Sequence, residues 1–219
     1  VDNGARIINL SLSGDTFIAA EKTAIEYASS RGVLVITAAG NDQRDIDAAP
    51  TYPACHDVPN IVSVGAGTQS DAVAWFSNWG LGNVDLFAPG EGILCLDPYG
   101  GVGLGQGTSF ATPFVAGAAG LRIARLGSWS PVEQTAIDLR QWLIAGADPA
   151  AGFDGKCLSG GRLDAAGTPA TGILPVYRFW SAPLGAHFYT MRPAERDLVT
   201  ATWPETWAYE GIAFYAYAR

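Results

Sequence analysis

Apolar residues recur along this chain in two rhythms. Residues 6–12 (RIINLSL) form an apolar run that predicts a buried strand. Residues 18–30 place Ile18, Ala24, Ile25 and Ala28 on one helical face and Glu21, Lys22 and Glu26 outside it, with Gly32 as the stop. Residues 33–38 (VLVITA) are again continuously apolar. Strand, helix and strand with short joins predict a βαβ unit in a parallel sheet. Residues 60–66 (NIVSVGA) add a further strand, and Phe110 to Leu126 a helix of small residues. At Ser130-Pro131-Val132-Glu133 the spacing predicts a capping box, with Ser130 as N-cap and a helix running to about Ala145.

Composition narrows the class. The 219 residues are 48% hydrophobic and 16% charged, with 27 glycines, which describes a compact core with tight turns. The net charge of −8 argues against nucleic acid as a partner. No apolar run approaches the roughly 20 residues of a membrane-spanning helix. Cys55, Cys95 and Cys157 lack metal-site spacing, and their odd number leaves one unpaired within the chain.

The chemistry gathers at residues 105–117, GQGTSFATPFVAG. Gly105 and Gly107 allow a tight turn and the close approach of a substrate. Ser109 follows at the start of the small-residue helix. The N–H groups of a first helical turn have no intrahelical acceptors and carry the positive end of the helix dipole. Negative charge developing beside Ser109 meets those groups, as an acyl-transfer nucleophile requires. Pro113 is expected in or near the first turn, where a missing N–H costs little.

GTSFATPFVAG resembles GTSMATPHVAG, the nucleophile motif of the subtilisin-like serine proteases, with Phe110 and Phe114 as the departures. The resemblance covers roughly residues 1–168. It implies a partial subtilisin-like three-layer α/β fold around a mainly parallel sheet, and a serine endopeptidase acting on polypeptides without a catalytic cofactor. Ala38-Ala39-Gly40-Asn41-Asp42 follows the second predicted strand, at the carboxyl end where ligands of parallel sheets gather. It resembles the segment whose Asn donates into the oxyanion hole, which implies that role for Asn41 beside the Ser109 N–H. Ser11, Leu12, Ser13 and Gly14 resemble the strand that pairs with the substrate backbone. Tyr52, Pro53 and Ala54 resemble the wall of the pocket for the residue before the scissile bond. Thr108 and the 38–42 segment complete the implied substrate contacts, with Asp42 at the pocket rim or, equally, capping its own turn. FSNWG (76–80), VDLFAPG (84–90) and GGRLDAAG (160–167) also follow the family pattern. A structural Ca²⁺ is an open expectation, with Ala54 and Asp85 as weak candidates for a cation site.

A serine nucleophile needs a base and an orienting acid. Subtilases place both before the strand that 10–15 resembles. Of the two histidines, His56 lacks the Gly-Thr that follows the family's catalytic histidine, and His187 lies in the tail. The resemblance implies that the triad Asp and His lie in an N-terminal part of the domain missing here, together with a signal peptide of a secreted bacterial protein, and that this chain alone is inactive. A pseudoprotease and a surface- or carbohydrate-binding secreted protein are the alternatives.

Residues 169–175 read as a linker. Residues 176–219 are dense in Trp, Tyr and Phe and predict a small β-containing module. They resemble one copy of an aromatic-rich repeat on the tails of secreted bacterial hydrolases. The expected partner is a glycan or cell surface, weighed against aromatic residues that merely fill the module's core.

Overall fold

The computed structural model describes residues 1–96, 100–126, 130–166, 173–190 and 193–217. The chain divides into two compact units, Val1–Thr168 and Pro169–Arg219.

The first unit is built on a six-stranded sheet of order β1-β2-β3-β4-β8-β7. Its strands are β1 (Ile7–Leu10), β2 (Leu34–Ala38), β3 (Ile61–Gly67), β4 (Leu86–Pro89), β7 (Asp148–Pro149) and β8 (Gly161–Arg162). β1 to β4 and β8 run parallel, with Ile7 opposite Leu34, Val35 opposite Ile61 and Val64 opposite Leu86. Every residue of β2 and β3 is buried, which is why both read as unbroken apolar runs. Alternation along β2 sorts its side chains between two cores. Leu34 and Ile36 pack with Ala111, Val115 and Ala119 of α2 (Thr108–Leu126). Val33 and Val35 pack with Ile25 and Ala28 of α1 (Ala19–Ser30). Helices therefore cover both sheet faces in the three-layer α/β arrangement. A third cluster stacks Phe87 on Phe153, with ring centroids 4.6 Å apart. Beside the sheet, β5 (Ile93–Leu96) and β6 (Val102–Gly105) form a hairpin. Residues 97–99 between them lie outside the described residues.

Two expectations need correction. α3 spans Glu133–Ala145, with Val132 at its N-cap and no side-chain cap. Glu133 does not close a capping box on Ser130. It accepts a hydrogen bond from the buried Ser29 at 2.8 Å, and a buried hydroxyl needs such a partner more than an exposed helix end needs a cap. Pro113 lies inside α2, beyond the first turn. Its missing N–H would have bonded to the Ser109 carbonyl, four residues back. That carbonyl instead accepts from the Ser11 hydroxyl at 2.9 Å and the Thr112 hydroxyl at 3.3 Å.

The second unit contains a three-stranded antiparallel sheet of order β10-β9-β11, with β9 (Ile173–Ser181), β10 (Ala186–Thr190) and β11 (Ala208–Tyr217). β9 opens at Ile173, inside the stretch read as a linker; residues 169–172 lie outside the described residues. Tyr177 and Phe179 pack with Val199 of α4 (Pro193–Thr202) and with Phe188, Trp207 and Tyr209.

Candidate active site

Four segments meet at Ser109: the ends of β1 and β2, the turn at Gly107, and the start of α2. The β1 end supplies Ser11, whose carbonyl accepts a hydrogen bond from the Ser109 hydroxyl at 3.2 Å. The Ser11 hydroxyl, besides meeting the Ser109 carbonyl, lies 2.6 Å from the Thr112 hydroxyl. Ser11 thus ties the substrate-side segment to the carbonyl that Pro113 leaves open. Gly107 has φ +141, and its N–H donates to the Gly90 carbonyl at 2.8 Å. A side chain at 107 would strain this turn. Ser109 is the second residue of α2, so its own N–H has no acceptor inside the helix.

The β2 end supplies Asn41, which is exposed. Its Oδ1 accepts from the Thr108 N–H at 2.8 Å and from the Thr108 hydroxyl at 3.0 Å. Two donors on the oxygen fix the amide's orientation, and its Nδ2 donates to no described residue. The amide is therefore held with its donor free, immediately before Ser109. Thr108 is fully buried and accepts from the Gly40 N–H at 3.2 Å, which closes this link between the strand end and the helix start.

Asn78, which the sequence reading left without a role, clamps the turn that carries Asn41. Its Nδ2 donates to the Ala39 carbonyl at 2.9 Å, and its Oδ1 accepts from the N–H groups of Asp42 at 2.9 Å and Arg44 at 3.2 Å. Gly40 has φ +103, and a Cβ there would lie 2.3 Å from Asn78 Nδ2, so only glycine fits. Ala38 and Ala39 are buried beneath the turn.

A cleft of about 240 Å³ beside Asn41 is lined by Ser13, Gly14, Asp15, Asn41, Asp42 and Thr51. Asp15 and Thr51 were not anticipated, although each directly adjoins a segment read as contacting substrate, 11–14 and 52–54. Arg44 is ion-paired with Asp15, donates to the Thr51 hydroxyl at 2.9 Å and lies 3.9 Å from Asp42. Gly14 exchanges two main-chain hydrogen bonds with Tyr52, at 2.8 and 2.7 Å. Its main chain is therefore engaged within the fold, while Leu12 and Ser13 are exposed. Tyr52 turns its ring to Phe17 and His56, and Pro53 follows it through a cis peptide bond.

His56 makes no described contact with Ser109. The His56 side chain is fully buried, with Nε2 2.9 Å from Glu21, and His187 pairs with Glu210 in the second unit. Ala54 and Asp85 do line one cleft, of about 350 Å³. Asp85 already accepts from the Ser63 N–H at 2.9 Å and from Arg140 at 2.6 Å. Burial pushes its carboxyl above the usual range, against the pull of Arg140 and the Ser63 N–H. Asp57 and Asn83 line the same cleft, where Ca²⁺ would need about 6–8 oxygen ligands and the Asp85 carboxylate is already paired with Arg140. Among the described residues, no group of three or more His, Cys, Asp or Glu could hold a metal ion. Burial raises the thiols of Cys55 and Cys157, and all three cysteines are free.

A hydroxyl at a helix start, beside an oriented side-chain amide at the carboxyl end of a parallel sheet, has the layout of a serine hydrolase. The comparisons agree. Residues 1–166 match the subtilase family, peptidase S8, and residues 160–219 match a domain of unknown function, DUF5648. The chain belongs to the subtilase family. It is 38% identical over 163 residues to subtilisin-like protease 7 of Arthroderma gypseum, across 72% of this chain and 38% of that protein. It is 39% identical over 131 residues to subtilisin E of Bacillus subtilis, across 59% of this chain and 34% of that protein. The crystal structure of a cold-adapted subtilisin-like serine proteinase superposes with a TM-score of 0.58 at 38% identity, over 69% of this chain and 54% of the other. The chain thus spans well under half the length of these two curated relatives. No helix among the described residues is long and apolar enough to cross a membrane.

Proposed function

We propose that this chain carries the nucleophile and oxyanion hole of an extracellular serine endopeptidase. The observation that carries the reading is the Asn41–Thr108 link, which holds one amide donor free beside Ser109. Ser109 Oγ attacks the peptide carbonyl, and the negative charge on its oxygen falls between Asn41 Nδ2 and the Ser109 N–H. Collapse of this intermediate breaks the C–N bond and releases the protonated amine, and water then hydrolyses the acyl-enzyme to the free acid and Ser109. Both steps move a proton through a histidine base held by an acid. His56 is engaged by Glu21, and on this reading the base and its acid come from further polypeptide, so that the chain alone is inactive.

The cleft beside Asn41 takes the side chain preceding the scissile bond. Asp15 and Asp42 line it with only Arg44 to offset them, so it favours Lys or Arg over Glu. The pseudoprotease reading gains support only from there being no histidine against Ser109 among the described residues of the first unit.

The test joins Val1 to the segment of subtilisin E that precedes its matched region, which by family pattern bears the catalytic Asp and His. This extended chain should cleave peptides. Ser109→Ala should lower its kcat by about 10⁶, the magnitude found for subtilisin itself, or roughly 8 kcal/mol. A folded extended chain without peptidase activity would support the pseudoprotease. Turnover by the 219 residues alone, lost in Ser109→Ala, would mean that a base lies within them.

A further inference from the structure

The second unit has a sheet face that its own helix does not cover. Strand alternation separates the two faces. Tyr177 and Phe179 of β9, Phe188 of β10 and Tyr209 of β11 belong to the core packed with Val199 of α4. The register places the opposite set together: Trp180 pairs with His187, and Arg178 with Tyr189. A sheet covered on one face ordinarily turns polar residues outward. This face instead carries a row of rings. Trp180 and His187 have centroids 4.7 Å apart, and His187 and Tyr189 6.0 Å apart. Tyr189 is 46% exposed. Beside the rings lies a polar cluster whose members hold one another in place. Glu210 meets Arg178 at 2.8 Å and His187 at 3.1 Å.

We propose that this face binds a neutral chain of pyranose sugars. A pyranose ring has an apolar C–H face and a rim of hydroxyls. Trp180 and Tyr189 offer flat apolar surfaces with polar tips. Arg178, Glu210 and His187 offer donors and acceptors already fixed in position, which lowers the ordering cost of binding. Charge selects a neutral ligand. Arg178 is spent on Glu210, and a chain of net charge −8 repels acidic polymers. A peptide strand would instead add to a sheet edge, where main-chain groups are open, and the rings lie on a face. This inference is independent of the peptidase reading.

The test is retention of the 219-residue chain on cellulose and on chitin, with tryptophan fluorescence titrations against their soluble hexasaccharides. Binding to at least one is expected. Trp180→Ala and Tyr189→Ala should each weaken it about tenfold, as for the central contacts of a binding site. Glu210→Gln should weaken it less, and Ser109→Ala not at all. Far-UV circular dichroism separates lost binding from lost folding, and the exposed Tyr189 keeps the test open if Trp180→Ala does not fold. Three results would overturn the proposal. One is no retention on either polymer, or retention unchanged in both ring variants. Another is retention confined to anionic alginate and removed by salt. The third is self-association abolished by Tyr189→Ala, which would assign the face to a second copy of the chain.

Discussion

β2 and β10 are both five-residue strands, yet every position of β2 is buried while β10 keeps Ala186, His187 and Tyr189 exposed. The cause is layering. β2 lies between α1 and α2, so both its faces are spent on packing. Such a strand has only its end to offer for chemistry, and Asn41 sits just beyond the end of β2. Among the described residues of the second unit, α4 packs on one face of the sheet, and Ala186, His187 and Tyr189 of β10 are exposed. The proposed peptidase site therefore depends on turns held at strand ends, and the proposed sugar site on which residues share one sheet face.

Removing core rings should separate the two units most clearly. Phe153 and Phe179 are each at most 1% exposed. Phe153→Ala and Phe179→Ala should each cost about 3–5 kcal/mol. Hydrogen exchange should register the first loss within residues 1–166 and the second within 173–217. Protection lost across both units from either substitution would show that they fold as one.

Asn41→Ala comes next. In the extended chain it should lower kcat by about 10²–10³, with little change in KM, because the amide meets the oxyanion more strongly than the ground-state carbonyl. The magnitude is that found for the equivalent loss in subtilisin. A change confined to KM would reassign Asn41 to substrate binding.

The smallest effect concerns the rim of the cleft. Asp42 is 59% exposed, and Arg44 lies 3.9 Å away, so solvent and a neighbouring cation both weaken its field. Asp42→Asn should reduce the preference for Lys over Glu before the scissile bond by about 0.2–1 kcal/mol, and by less at high salt. An unchanged ratio would leave Asp42 as a turn residue only.

Much of this was legible in the chain. Unbroken apolar runs announced β2 and β3, because parallel strands buried on both faces have no alternation to show. Ser109 and Asn41 stood out because GTSFATPFVAG and the 38–42 segment resemble subtilase motifs, while the need for glycine at 40 shows only in the fold. Long-range polar contacts were not legible. Glu133 looked like a capping residue because its partner, Ser29, is 104 positions away. Pro113 looked harmless because nothing local indicates that the Ser11 hydroxyl takes up the carbonyl it frees. Asn78 and Thr51 acquire roles only when the chain returns to the 39–44 turn. The aromatic density of the tail was plain, but its division between core and open face follows from strand register, which only the fold supplies.

The central claim is that Ser109 is the nucleophile, and the most direct measurement is covalent. The extended chain would be treated with a fluorophosphonate and its peptides analysed by mass spectrometry. The account predicts one adduct per chain, on the Ser109 hydroxyl, formed more slowly in Asn41→Ala and absent in Ser109→Ala. An active extended chain that carries its label on another residue, or turns over peptides with Ser109 unlabelled, would contradict it.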